Sequence, residues 1–214
     1  MSTAAVTTVA AFDVDGTLTR VDCVRPFLER LVGRPALVAL PLRYPVEFAS
    51  GAVRRDRDRL KALVVGRSYE GRQVDDVAAI GRSFASHVHD TMLRDDVVAR
   101  LRWHQSAGHR TVIVSASLRS YLAPLGEALG IDAVMCTDVV AEGGRYTARL
   151  DGGNCRAAEK RSRLQAWLAA EGLTGSTLWA YGDSRGDREM LDHAHHPVWV
   201  KGTTVQPVPP EIQS

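Results

Sequence analysis

Five short apolar runs recur along the 214 residues: TVAAFDV at 8–14, RTVIVS at 110–115, AVMC at 133–136, TLWAY at 177–181 and PVWV at 197–200. Turn signals bound them and helix-like stretches lie between them, the pattern of an α/β fold built on a parallel sheet. Two connecting helices are legible. One spans 118–129 and stops at Gly130; the other spans 156–170 and places Leu164, Trp167 and Leu168 on one face. Around Gly143-Gly144 the alternation over 138–150 predicts a β-hairpin at the edge of the sheet.

Residues 20–93 break this rhythm. They hold no strand-like run, and Pro26, Pro35, Pro41 and Pro45 divide them into short helices. The expected organisation is a core of 1–19 and 94–204, a helical insertion over 20–93, and a frayed C-terminal tail over 205–214. Charge divides the same way. The insertion carries 13 Lys or Arg against 9 Asp or Glu, a net +4, while the remainder carries 14 against 16, a net −2. The overall +2 lacks the basic footprint of a nucleic-acid-binding domain, so no nucleic-acid partner is expected.

Cys23, Cys136 and Cys155 are too few and too scattered for a disulfide framework or a CxxC pair, which points to the reducing cytoplasm. The apolar start has no basic n-region and reads as a buried strand rather than a signal peptide. PALVALPL at 35–42 is too short to span a bilayer, which takes about 20 residues. Flanked by arginines, PALVALPLRYPVEF leaves open a peripheral contact with an anionic bilayer surface.

The chemistry concentrates where predicted strands end. Asp13 and Asp15 in DVDGTLT close the first strand, at the end of a parallel sheet where ligands bind. At i and i+2 on extended backbone they point to one side, roughly 6–7 Å apart. One can attack while the other handles protons, and Gly16 permits the sharp exit that keeps both exposed. A turn that only satisfies loop amides is the plainer alternative. Asp183 and Asp187 in GDSRGD close another strand, where acids at i and i+4 can converge on a hard cation such as Mg²⁺. Ser184-x-x-Asp187 also fits a capping box. Ser115 ends RTVIVS, where its hydroxyl and the following backbone N–H groups could hold phosphate or merely cap a helix.

In this order, DVDGTLT, VSAS, the lysine of NCRAAEK and GDSRGD resemble motifs one to four of the haloacid dehalogenase-like (HAD) superfamily of phosphohydrolases. The resemblance covers residues 8 to about 200, and the position of the insertion resembles the helical C1 cap of the type-IB branch, around phosphoserine phosphatase and phosphatidylglycerophosphatase C. It implies a Rossmann-like core and a phosphatase that uses Mg²⁺. Asp13 would be the nucleophile that forms an aspartyl-phosphate, and Asp15 the general acid and base, with its carbonyl on the metal. Ser115 and Ala116 would bind the phosphoryl group, Lys160 would hold nucleophile and phosphate, Asp183 would ligate Mg²⁺ and Asp187 would support that site. The second acid discriminates within the family: halide leaves unprotonated, so DVD favours phosphate.

Substrate choice in this superfamily lies largely in the cap. Asp22 stands nine residues after Asp13, where phosphoserine phosphatase has a glutamate that meets the substrate amine. Against phosphoserine, this chain reads SAS and GDSRGD where those enzymes read SGG and GDGxND. The run from Arg54 to Lys61 is expected to be a solvated helix face, with Arg55 as the candidate that would grip an anionic substrate. His193, His195 and His196 lack a zinc framework and read as a polar loop before the last strand. Trp103, Trp167, Trp179 and Trp199 read as packing. The expected partner is a small phosphate ester.

Overall fold

The structure is a computed structural model that describes residues 7–53 and 56–209. Among them, β1 (Thr8–Phe12), β2 (Arg110–Leu118), β3 (Ala133–Glu142), β4 (Arg145–Asp151), β5 (Thr177–Gly182) and β6 (His196–Trp199) form one sheet in the order β4-β3-β2-β1-β5-β6. Every pairing is parallel except β3 with β4. The central strand β1 is fully buried from Val9 to Phe12. That explains its unbroken apolar run, since a strand covered on both faces has no polar side to alternate. Val9 and Ala11 face one core layer; Ala10 and Phe12 face the other.

The helices are α1 (Val24–Val32), α2 (Arg34–Arg43), α3 (Pro45–Val53), α4 (Arg57–Tyr69), α5 (Val74–Thr91), α6 (Asp95–Ser106), α7 (Arg119–Leu129), α8 (Ala158–Ala170) and α9 (Arg188–Leu191). Residues 20–93 leave and rejoin the sheet at one place: Thr19 bridges to Leu93, and Arg20 N donates to Met92 O at 2.9 Å. Prolines start helices here more than they break them. Pro35 sits in the first turn of α2 and Pro45 opens α3, where a missing N–H costs nothing. Phe27 of α1 packs on Tyr69, Phe84 and Tyr121, which locks α1, α4 and α5 onto α7. Gly66 lets α4 touch β4, because a Cβ there would fall 2.0 Å from the Ala148 carbonyl oxygen.

Several expectations need correction. β3 is longer than 133–136, running on to become the first arm of the hairpin: residues 133–137 pair with β2 and 138–142 with β4. The tail is not frayed over 205–209. Asp96 accepts from Val205 N at 2.9 Å, and Arg100 Nε donates to the carbonyls of Gln206 and Pro207, so α6 straps this segment down. Residues 210–214 lie outside the described residues. Trp199 is not core packing: it sits exposed on edge strand β6. His196 belongs to β6 and stacks on Trp179 with ring centroids 4.1 Å apart, while His195 Nδ1 accepts from Leu178 N at 3.0 Å.

Candidate active site

β1, β2 and β5 all end at one cavity of about 430 Å³. Asp13, Asp15, Ser115, Ala116, Lys160, Asp183 and Asp187 all line it, although the chain separates its extremes by more than 170 residues. Asp13 follows β1 directly, anchored by its N–H to Tyr181 O at 3.0 Å, and the chain then turns through Val14–Leu18. Gly16 has φ 81°, and a Cβ there would lie 2.5 Å from Asp183 Oδ2. Only glycine lets this turn meet the second acidic loop.

Lys160, 2% exposed on the first turn of α8, donates to Asp13 Oδ1 at 2.6 Å and to Asp187 Oδ1 at 2.5 Å. Burial works to lower its pKa, but the two carboxylates outweigh that and raise it, so the ammonium keeps its charge. Burial pushes Asp13 above the ordinary carboxylate range, with the Lys160 ammonium working against the rise. Asp13 Oδ2 accepts from Thr17 Oγ1 at 3.4 Å, and Asp13 lines the cavity.

Among the described residues Asp15 forms no such ion pair, although the Lys61 ammonium lines the same cavity and lies within electrostatic reach of it. Its Oδ1 accepts from Cys23 N at 2.8 Å and its Oδ2 from Ser117 Oγ. Burial, then the charges of Asp22 and Asp13, push its pKa up to about 7. Its carboxylate therefore stands apart from the metal-like cluster, and only its backbone remains open to the role implied by resemblance.

Asp13, Asp183 and Asp187 are the described residues whose ligand atoms converge, all within 4.8 Å of one another. Asp183 is pushed up to about 6, by burial first and then by Asp13 and Asp187. Three carboxylates against one lysine leave a net −2, and the donors are all hard oxygens. That set fits a divalent cation such as Mg²⁺. Asp187 also closes the capping box, its Oδ2 accepting from Ser184 N at 2.9 Å and Ser184 Oγ at 2.8 Å. The two readings of this residue are compatible, since one oxygen caps while the other meets Lys160.

Sequence reasoning missed Ser117, which holds Asp15, and Lys61, which lines the cavity and donates to Ala116 O at 2.8 Å. SAS does contain a second serine two residues after Ser115, and that was the available signal. Lys61 lies in the charged run expected to be solvated; instead Lys61 and Asp58, three apart on α4, face the cavity. Asp58 accepts from Asn154 Nδ2 at 2.6 Å. Arg55 lies outside the described residues. Asp22 is exposed at the cavity rim and accepts from Arg25 N at 3.2 Å.

Similarity to known proteins runs along nearly the whole fold. The chain is 37% identical over 185 residues to Protein CicA of Caulobacter vibrioides, covering 86% of this chain and 81% of that one. It is 26% identical over 194 residues to a protein of Mycobacterium tuberculosis named "Probable phosphatase Rv3661", covering 88% and 67%. A crystal structure of a protein of unknown function from Bordetella pertussis superposes with a TM-score of 0.70 at 26% identity, covering 87% and 86%. The model of the family described as haloacid dehalogenase-like hydrolase matches residues 10–192, from β1 to the end of α9. With each of that family's four motifs delivered to one cavity by its own strand or helix, the chain belongs to the haloacid dehalogenase-like hydrolases.

Proposed function

We propose that the protein is a Mg²⁺-dependent phosphomonoesterase that works through an aspartyl-phosphate, with residues 20–93 as a cap over a core of 1–19 and 94–204. The observation that carries this reading is the contrast between the first two acids. Asp13 is held by an ammonium and offers one oxygen to the cavity, while Asp15 is held by a hydroxyl and an amide in a setting that favours a proton. Two carboxylates in opposed environments divide nucleophile from acid.

Asp13 Oδ2 attacks phosphorus as the ester P–O bond breaks, and Asp15 passes its proton to the departing alkoxide. Asp15, now a carboxylate, then takes a proton from water as that water attacks phosphorus. The Asp13–phosphorus bond breaks and inorganic phosphate leaves. Ser115 Oγ accepts from Ser117 N at 3.2 Å, which leaves its own proton to donate to a phosphoryl oxygen. Lys160 supplies positive charge to the same group. Asp13 and Asp183 would hold the metal with Asp187 behind them, and the bound cation supplies further positive charge to the phosphate.

Among the described residues no helix is long and apolar enough to cross a membrane. The cytoplasm remains the proposed location, because all three cysteines are free and buried. The relative named as a phosphatase supports the reaction class. Hydrolysis of p-nitrophenyl phosphate with Mg²⁺ tests the reading. Asp13→Asn should lose at least about 10³-fold, the scale of removing a nucleophile. Equal rates for the two proteins would overturn the assignment.

A further inference from the structure

We propose that the substrate is an amphiphilic phosphate monoester whose alcohol carries a hydrocarbon chain, and that this chain occupies a second cavity within the helical insertion. The proposal rests on the phosphatase reading above. The second cavity, about 490 Å³, lies among α1, α2, α3 and α4. Nine of its twelve lining residues are apolar, Leu28, Leu37, Val64 and Val65 among them. Its size and lining are those of a small-molecule pocket, roughly 300–1,000 Å³ and mostly apolar.

The other three lining residues are Asp22, Arg25 and Lys61. Asp22 and Lys61 also line the acidic cavity, so the two spaces meet at that pair. A molecule with its phosphate at Asp13 reaches the apolar space past them. The Lys61 ammonium is held on the phosphate side by Ala116 O at 2.8 Å, leaving its methylene stem to border the apolar side. Val38, which lines the cavity, is 65% exposed, and Leu42 and Val46, on the same two helices that supply Val38 and Phe48 to the lining, are also exposed. Apolar surface left open to water in and around a cavity is unfavourable, and a hydrocarbon occupant removes it. An amino-acid or sugar phosphate would instead set polar groups against a lining with few partners for them.

The test measures kcat/KM for phosphate release from ethyl, butyl, hexyl and octyl phosphate, each below its micellar concentration, with Mg²⁺. Burial of each methylene is expected to gain about fourfold until the cavity fills, with octyl phosphate at least about 100-fold better than ethyl phosphate. Val38→Asp at the exposed rim should cut the octyl-to-ethyl ratio about tenfold and leave ethyl phosphate within about twofold of wild type. Leu37→Trp, which fills the cavity, should cut the same ratio, so the result does not hang on the folding of one variant. A flat chain-length profile with ethyl phosphate still hydrolysed would overturn the proposal and leave the phosphatase reading standing, as would phosphoserine outperforming octyl phosphate or an unchanged ratio in both variants. Failure to hydrolyse any ester, p-nitrophenyl phosphate included, would overturn the phosphatase reading and this proposal together.

Discussion

Asp15 illustrates how much one side chain's surroundings decide. The same carboxyl group that pairs with a buried cation at Asp13 is here held by Ser117 and the Cys23 amide, with Asp22 and Asp13 as the charges that raise its pKa and Lys61 within electrostatic reach. A group so placed matters most when the leaving alcohol is a poor one. Asp15→Asn should therefore lose roughly 10²–10⁴-fold on an alkyl phosphate, the usual range for acid–base catalysis, and far less on the first step with p-nitrophenyl phosphate. Burst kinetics on the two esters separates them, and equal losses in that first step would remove Asp15 from leaving-group protonation. Asp13, Asp15, Asp183 and Asp187 were legible in the sequence because each pair sits within one turn, at a spacing local geometry can interpret. Ser117 and Lys61 were not, because what they touch lies 102 and 55 residues away and only the fold brings it near. The four tryptophans show the converse: apolar bulk predicted burial for all, but Trp199 stands on an edge strand and is 44% exposed.

The elements around the site are set against one another by backbone as much as by side chains. Ala157, just before α8, has φ 55° and ψ −126°, a conformation that a residue with a Cβ rarely adopts. Its N–H donates to Gly186 O at 2.8 Å, which pins the start of α8 to the loop of Asp183 and Asp187 and so aims Lys160 between the acids. Ala157→Gly should raise stability by about 1 kcal/mol and keep activity within about twofold, because glycine accepts that backbone without strain. Denaturant unfolding with a parallel rate assay checks this; a loss of stability would show the backbone to be unstrained. At this scale, strand and helix identities were readable from apolar period and glycine stops, as with α7 ending at Gly130. Strand lengths were less so. β3 changes partner midway, and its outer half alternates in burial while its inner half does not, so one strand reads as two.

Over the whole molecule, a buried polar chain ties the sheet to the strapped C-terminal segment. Arg100 donates to Tyr181 OH at 3.0 Å, Tyr181 OH meets His104 Nε2 at 2.8 Å, and His104 Nδ1 meets His109 Nδ1 at 2.8 Å. Burial, then His109 and Arg100, push the His104 pKa down to about 3. The unfolded chain titrates that histidine near 6.5, so it binds the proton first, and stability present above about pH 6.5 is lost as pH falls toward 3. Relative to His104→Gln, wild type should lose about 3 kcal/mol between pH 7 and pH 4. Urea unfolding of both proteins at the two values measures the change, and a constant difference would mean that His104 is not held neutral by the fold. The charge asymmetry between residues 20–93 and the rest of the chain was already visible in the sequence, but its use was not: Lys61 and Asp58 turn toward the cavity while much of the other charge described in 20–93 stays at the surface. What all of this positions is Asp13, and its covalent state is the most direct test. Wild type and Asp15→Asn, mixed with p-nitrophenyl phosphate and Mg²⁺ and quenched in acid, are digested and examined by mass spectrometry. A phosphoryl group on the peptide carrying Asp13, accumulating in Asp15→Asn, is the expected result; turnover with no phosphoryl group there, or with one on another residue, would contradict the aspartyl-phosphate route.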